Sequence, residues 1–261
     1  MKEYWKKIYK TRYFWSHLAK NDLKTRFRRS KLGLLWTIIQ PLFLTIIMSV
    51  VFGVVFQQPL GEYSIYILSG IIVWDMLQTC IVSGGSALFN SEQYIRQFNH
   101  PITIYTLRHA VVVSAIFCME MIALAVWGVF YSPINLLFGC LTLPLTILLF
   151  FPLVWGFSTI AGYSGTKYRD YPQIMALIMQ ILYYISPVFF KQEMFMSNQI
   201  LKLWFELNPI THFLNLVRAP FVYGEFPTVM DYIFVLFTNF AVVLWAFLLN
   251  RKNEKTIIFY L

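Results

Sequence analysis

Charge is what this sequence has least of. Only 13% of its residues are Asp, Glu, Lys or Arg, while 58% are hydrophobic and 19% aromatic; soluble domains carry about 25% charged residues. So thin a polar supply cannot cover a globular surface, and the composition is that of a polytopic membrane protein. Cysteine is almost missing as well. Cys80, Cys118 and Cys140 lie inside apolar runs and form no close pair, which leaves neither a disulfide framework nor a metal knuckle; they read as small buried hydrophobes. No GxxxxGK[ST] loop is present to cradle a nucleotide phosphate, and no HExxH or GxSxG signature appears. The four histidines, His17, His100, His109 and His212, have no paired carboxylate nearby in sequence. An enzyme is therefore the weaker class. The first residues also lack the apolar core and small-residue cleavage site of a signal peptide, so the N-terminus is expected to be retained.

The charge that is present is unevenly placed. Residues 1–31 hold eleven of the Lys and Arg residues against only Glu3 and Asp22, and the rest of the chain is neutral overall. Nucleic-acid binding calls for a basic face on a folded domain. Here the stretch "RFRRSKLGLLWTIIQPLF" runs from four cations straight into apolar chain, which is how a membrane boundary reads. An anionic lipid surface is the expected partner of these cations, and no nucleic acid is expected.

A bilayer core of about 30 Å requires about 20 apolar residues as a helix. Six segments qualify: 33–56, 64–89, 105–130, 135–162, 172–190 and 229–250. The fourth contains Pro144 and Pro152 and is expected to be bent or broken. The connections "QQPLGEYS" and "YSPIN" carry no cation, whereas "NSEQYIRQFNHP", "GTKYRDYP" and the tail "RKNEKTIIFYL" carry Arg96, Lys167, Arg169, Arg251, Lys252 and Lys255. By the positive-inside rule the even-numbered loops and both termini are expected to be cytoplasmic.

Two segments outside the spans have their own character. On a helical wheel Trp5, Ile8, Tyr9, Ala19, Leu23 and Phe27 fall on one face, with Tyr13 and Trp15 at its margins, and Lys6, Lys10, His17, Lys24 and Arg28 on the other. Residues 1–31 thus read either as an amphipathic helix on the inner leaflet or as a basic flank with no further role. Residues 191–228 are too many for a turn, and their apolar runs are interrupted by Lys202, Glu206, Pro209, Arg218 and Pro220. Short helices dipping into the outer leaflet fit them best.

Three motifs in order, "LAKNDLKTRFRRSKLGLLWTIIQPL", "YRDYPQIMALIMQILYYISPVFF" and "NPITHFLNLVRAPFVYG", resemble the permease subunits of ABC transporters that export lipid-linked polysaccharides of the O-antigen, capsule and teichoic-acid type. The likeness covers essentially the whole chain. It implies an all-α, six-span permease in the bacterial cytoplasmic membrane, with an N-terminal interface helix over 1–31 and a transmembrane domain over 32–261. It further implies a cytoplasmic gate or coupling segment at 90–101 and external re-entrant helices at 191–228. Two copies would form one pore, driven by two copies of a separate ATPase that binds the ATP and Mg; the permease itself needs no cofactor. The substrate would be a lipid-linked glycan. An exporter of a drug or small lipid, or a membrane-embedded transferase acting on lipid carriers, are the alternatives.

Arg26, Arg29, Gly33, Trp36 and Pro41 belong to the first motif. Aromatic faces stack on pyranose C–H surfaces, and the resemblance places the pore at the first and fifth spans, so Trp36, Phe43, Tyr183 and Tyr184 are the expected lining. Glu120 and Asp75 fall within spans, where a charge at mid-membrane costs about 2.5 to 3.5 kcal/mol. Both are expected to face protein or water, as a substrate contact, a gate or a packing carboxyl. Arg169 is read as meeting lipid phosphate, the carrier's pyrophosphate or an acidic partner, and Asp170 as capping the helix that Pro172 opens. Ser186, Pro187, Asn208 and Pro209 mark helix ends that shape an outer gate. In "NSEQYIRQFNHPI", Asn90 or Ser91 is expected to cap a helix of about two turns. Its Tyr94, Ile95 and Phe98 would form a ridge for a partner's groove, flanked by Arg96 and Gln97.

Overall fold

The computed structural model describes residues 2–26, 30–195, 198–254 and 256–261, and of Lys2, Glu3, Trp5 and Phe195 the backbone alone. Arg29, with Phe27 and Arg28, lies outside the described residues. The elements are helical throughout: α1 (Lys2–Lys10), α2 (Arg12–Arg26), α3 (Trp36–Val55), α4 (Leu60–Val82), α5 (Glu92–Gln97), α6 (Thr103–Tyr131), α7 (Pro133–Lys167), α8 (Tyr171–Ile185), α9 (Gln199–Leu207), α10 (Pro209–Arg218) and α11 (Val229–Asn253). Short 3₁₀ turns join several of them, and a π-turn follows α10 at Ala219–Tyr223. Among the described residues there is no strand.

Five of these helices are long and apolar enough to cross a membrane: Gly33–Val55 (α3 with its 3₁₀ lead-in), Leu60–Ser86 (α4 and the turn after it), α6, α7 and α11. The segment expected at 172–190 is a shorter apolar helix, α8, followed by non-helical chain from Ser186. At about 1.5 Å per residue its 15 residues reach about 22 Å. Together with the non-helical chain that follows, it extends alongside α4. A Cβ added to Gly85, below α4, would meet Tyr171 and Pro172 at the start of α8, while Tyr63 and Tyr66, at the other end of α4, bond the carbonyls of Phe189 and Phe190 just past its finish.

The fourth segment is not broken. α7 is a continuous helix of 35 residues through both Pro144 and Pro152. A proline removes a backbone donor and frees carbonyls one turn upstream. Beside Pro152 the Leu149 carbonyl accepts from the Asn239 side chain of α11 at 2.9 Å, so a neighbouring helix supplies a partner.

Helix packing relies on close approach. α4 is the central helix, buried along nearly its whole length. Gly85 and Gly165 let the turn after α4 lie directly on α7, for a Cβ on Gly165 would strike the Gly85 carbonyl. Small residues at such crossings bring backbones together where lipid gives no hydrophobic drive. At the end of the bundle that gathers both termini, Tyr163 donates to Asn250 at 2.6 Å, Asn250 to Tyr4 at 3.0 Å, and Tyr4 pairs with Thr103 at 2.6 Å. That chain of polar groups ties α7, α11, α1 and α6, and burial pushes the Tyr4 phenol up to about 12.

The N-terminal segment differs from a single amphipathic helix. It is two helices broken at Thr11, whose hydroxyl donates to the carbonyls of Lys7 and Ile8 at 3.0 Å each. Ile8, Leu18 and Ala19 are buried, but Tyr9 and Tyr13 are exposed. Tyr9 leaves the apolar face because the Arg12 guanidinium stacks between the two rings, 4.4 and 4.5 Å from their centres. α2 packs against α6 and is fixed there by Arg108, which grips the Asp22 carboxylate with two nitrogens.

Candidate functional site

Three helices, α3, α4 and α8, border a groove of about 810 Å³. Each contributes one face at helical spacing: Gln40, Leu44 and Met48 from α3; Ile71, Trp74, Asp75 and Gln78 from α4; Gln173, Leu177, Gln180 and Tyr183 from α8. In these largely apolar helices, four side-chain amides and a carboxyl share one surface. Amides facing lipid would be stranded without partners. Trp74 and Tyr183 meet edge to face with centroids 5.2 Å apart, and the Trp74 Nε1–H donates to Gln78 at 3.1 Å. The groove thus combines flat aromatic surfaces with amides that both donate and accept.

Of the aromatics expected to line a pore, Tyr183 borders this groove. Trp36, Phe43 and Tyr184 are exposed and do not border the groove. Trp36 donates instead to the Ser30 hydroxyl at 3.1 Å, and Phe43 points outward because the face of α3 turned to the groove is that of Gln40 and Leu44. Tyr184 borders an apolar recess with Trp204 and Phe205. Behind the groove Glu120 of α6 is buried near Asp75, and the positive charge of Arg26 acts on both. Both acids therefore face protein or groove. Pro41 is buried in α3, and Gly33 holds a positive φ of 51° ahead of it.

At the end of the bundle away from the termini, residues 186–190 are non-helical and would be costly at membrane depth unless fully bonded. Arg218 is buried and donates to the carbonyls of Pro187 and Val188, each at 2.5 Å, while Tyr63 and Tyr66 serve those of Phe189 and Phe190. Gly70 leaves the room for this, since a Cβ there would meet the guanidinium and the Val188 carbonyl. Ser186 is buried at the end of α8 and accepts from Asn208 at 3.0 Å. Asn208 in turn caps α10 through Ile210 N–H, with Pro209 in the first turn. Nearby, His212 contacts the Asp231 carboxylate at 2.7 Å and the Glu206 carbonyl at 3.0 Å. Asp231 also closes a capping box with Thr228 at the start of α11.

At the terminal end, α5 is a short helix of six residues, close to the two turns expected, but its caps differ. Ser91 sits at the N-cap position, but its hydroxyl donates back to the Ala87 carbonyl at 2.9 Å and makes no cap bond. The ridge is also not a free surface. Ile95 is buried, and Phe14 of α2 packs on Tyr94, Phe98 and His100 with centroids 6.2, 5.7 and 5.1 Å away. Arg96 pairs with Glu92 at 2.8 Å on the exposed side. Asp170 occupies the N-cap position of α8, yet its carboxylate makes no cap bond; its backbone is already near-helical, which turns the side chain away. Arg169 is exposed beside it.

The family follows from comparison with known proteins. Residues 13–222 match the model of a family described as ABC-2 type transporter. This chain belongs to the ABC-2 type transporter family. Among similar proteins, the O-antigen export system permease protein RfbA of Myxococcus xanthus is 21% identical over 241 residues, covering 92% of each chain. The RfbA permease of Klebsiella pneumoniae is 20% identical over 177 residues, 68% of each chain. The polysialic acid transport protein KpsM of Escherichia coli is 22% identical over 214 residues, covering 78% of this chain and 79% of its own.

Sequence reasoning did not find the glutamine lining or the Arg218 clamp of this ABC-2 permease. The glutamines were visible in principle: Gln173 and Gln180 are two turns apart on one face of an otherwise apolar segment, and that face continues to Tyr183. Arg218 gave only the signal of a cation in an apolar stretch with no acid at helical spacing.

Proposed function

We propose that this chain is the membrane permease of an ATP-driven exporter, moving a lipid-linked polysaccharide from the cytoplasm to the outer face of the bacterial inner membrane. The observation that supports it most is the groove of α3, α4 and α8, where Gln40, Gln78, Gln173 and Gln180 stand beside Trp74 and Tyr183. Sugar hydroxyls are served by amides of either hydrogen-bond sense, and sugar C–H faces by the aromatic rings. Such a wall holds each residue of a polymer weakly and alike, so the polymer slides without deep wells. A drug or a small lipid would be better held by a dry apolar pocket.

A single chain supplies one wall. In this reading two copies face each other across their grooves, and the pore lies between them. All six apolar helices cross the membrane, α8 being completed by the bonded segment 186–190, and both termini are cytoplasmic because the cations gather there. The permease carries no nucleotide loop, so ATP and Mg are bound by a separate ATPase dimer that works on the face formed by α5, α1 and the C-terminal turn. Export in cells lacking the native chain tests this. The Trp74→Ala, Tyr183→Ala double variant should reach the membrane and support ATP hydrolysis, yet lower surface polymer about tenfold, each aromatic contact being worth about 0.5–1.5 kcal/mol. Undiminished surface polymer would remove the groove from the export path.

A further inference from the structure

A second cavity, of about 250 Å³, lies at the terminal end of the bundle under α2, separate from the groove. It is bordered by Asp22 and Arg26 of α2, Ser91 ahead of α5, and Tyr105, Arg108 and His109 from the first turns of α6. Two of its donors are unused. The Tyr105 hydroxyl is on a side chain only 1% exposed and has no hydrogen-bond partner, and the Nη1 of Arg108 is likewise buried and unpartnered. A buried donor left without an acceptor is costly and calls for an account. The Arg108 fork is otherwise satisfied, because Nε and Nη2 hold Asp22. That bond holds the guanidinium in place and leaves the remaining N–H available, with the Arg26 guanidinium also on the cavity wall.

The geometry points to an anion site that takes the phosphate or diphosphate group of a lipid. The unused groups are donors, an arginine beside a phenol matches phosphate oxygens in number and charge, and the volume equals that of about eight waters at about 30 Å³ each. A phosphate or diphosphate with part of its hydration fits such a space. The site lies where the basic α2 meets α4 and α6, and the Arg26 that borders it also acts electrostatically on Asp75 of the groove. A lipid phosphate seated here would stand at the inner mouth of that groove.

The test is binding, with full-length permease in nanodiscs of zwitterionic lipid and inorganic pyrophosphate as the probe. Wild type should bind it saturably. Tyr105→Phe, which removes only the unpartnered hydroxyl, should weaken binding about tenfold with the melting temperature unchanged or raised. The double change Asp22→Asn, Arg108→Gln, which leaves no lone charge, should abolish it. Competition names the source: displacement by a polyprenyl diphosphate but not by phosphatidylglycerol in the disc assigns the site to a diphosphate-bearing carrier, and displacement by phosphatidylglycerol assigns it to bulk lipid headgroups. No pyrophosphate binding by wild type, or equal binding by Tyr105→Phe, overturns the site. Because no arm requires transport, that failure would leave the reading of the groove standing.

Discussion

Arg218 lies with its guanidinium carbon 3.7 Å from the centre of the Tyr66 ring. The ring face stabilises the buried cation, and no acid is needed because the carbonyls of Pro187 and Val188 take two of its donors. This one side chain fixes the break after α8 and holds it against α4 and α10. Arg218→Met takes away the donor that serves the Val188 carbonyl, and a stranded buried group costs about 1–3 kcal/mol. Thermal unfolding in detergent should show the loss, with residues 186–228 becoming the first site of proteolysis. Gly70→Ala should do the same by displacing the guanidinium. Unchanged melting and protease resistance in both would show that the clamp is dispensable.

His212 offers a pH-dependent contribution. Burial alone would lower its pKa, but hydrogen bonds to Asp231 and the Glu206 carbonyl, with the charge of Asp231, outweigh burial and raise it above the ordinary 6.5. Both ring nitrogens face acceptors, so the fully bonded form is the imidazolium. A raised pKa gives stability that is complete below about 6.5 and is lost as pH rises through the higher folded value. The melting temperature should fall as pH increases above about 6.5, and His212→Gln should flatten that fall. A variant with the wild-type slope would assign the dependence to another group.

The helices and their order were legible in the sequence because apolar runs and proline or cation boundaries are local signals. Long-range satisfaction was not. Phe98 and Tyr94 read as a ridge awaiting a partner, but part of that partner is Phe14 of the same chain, and nothing in the local pattern tells the two apart. Asp22 and Arg108, 86 positions apart, have the same difficulty. The caps failed for a related reason: Ser91 and Asp170 are suitable residue types, yet one hydroxyl bonds backward and one backbone is already helical. Trp36 and Phe43 followed from placing the pore at the first and fifth spans; neither borders the groove, where polar residues repeat on the faces of largely apolar helices.

The packing of Phe14 on Tyr94 and Phe98 sharpens the expectation for α5. Phe14→Ala should loosen α5 from α2 without touching its outward side, where Arg96 and Glu92 lie. If α5 passes the ATPase stroke to the spans, Phe14→Ala and the double change Tyr94→Asp, Phe98→Asp should both hydrolyse ATP while exporting about tenfold less polymer. Removing an aromatic contact of about 0.5–1.5 kcal/mol is enough to shift such a coupling equilibrium by that factor. Hydrolysis and export falling in equal proportion would instead indicate an assembly defect, and full export would leave α5 as a simple connector.

Direct contact between polymer and groove is the most exposed consequence of the proposed function. A photoreactive side chain at Leu177, which borders the groove and is exposed in the single chain, can be compared with one at Phe237, exposed on α11 away from it. During ATP-driven export, illumination should join glycan to the permease at Leu177, and the yield should fall when hydrolysis is blocked. Position 237 should capture lipid alone. Glycan captured equally at both positions, or at 237 only, would contradict a translocation path along α3, α4 and α8.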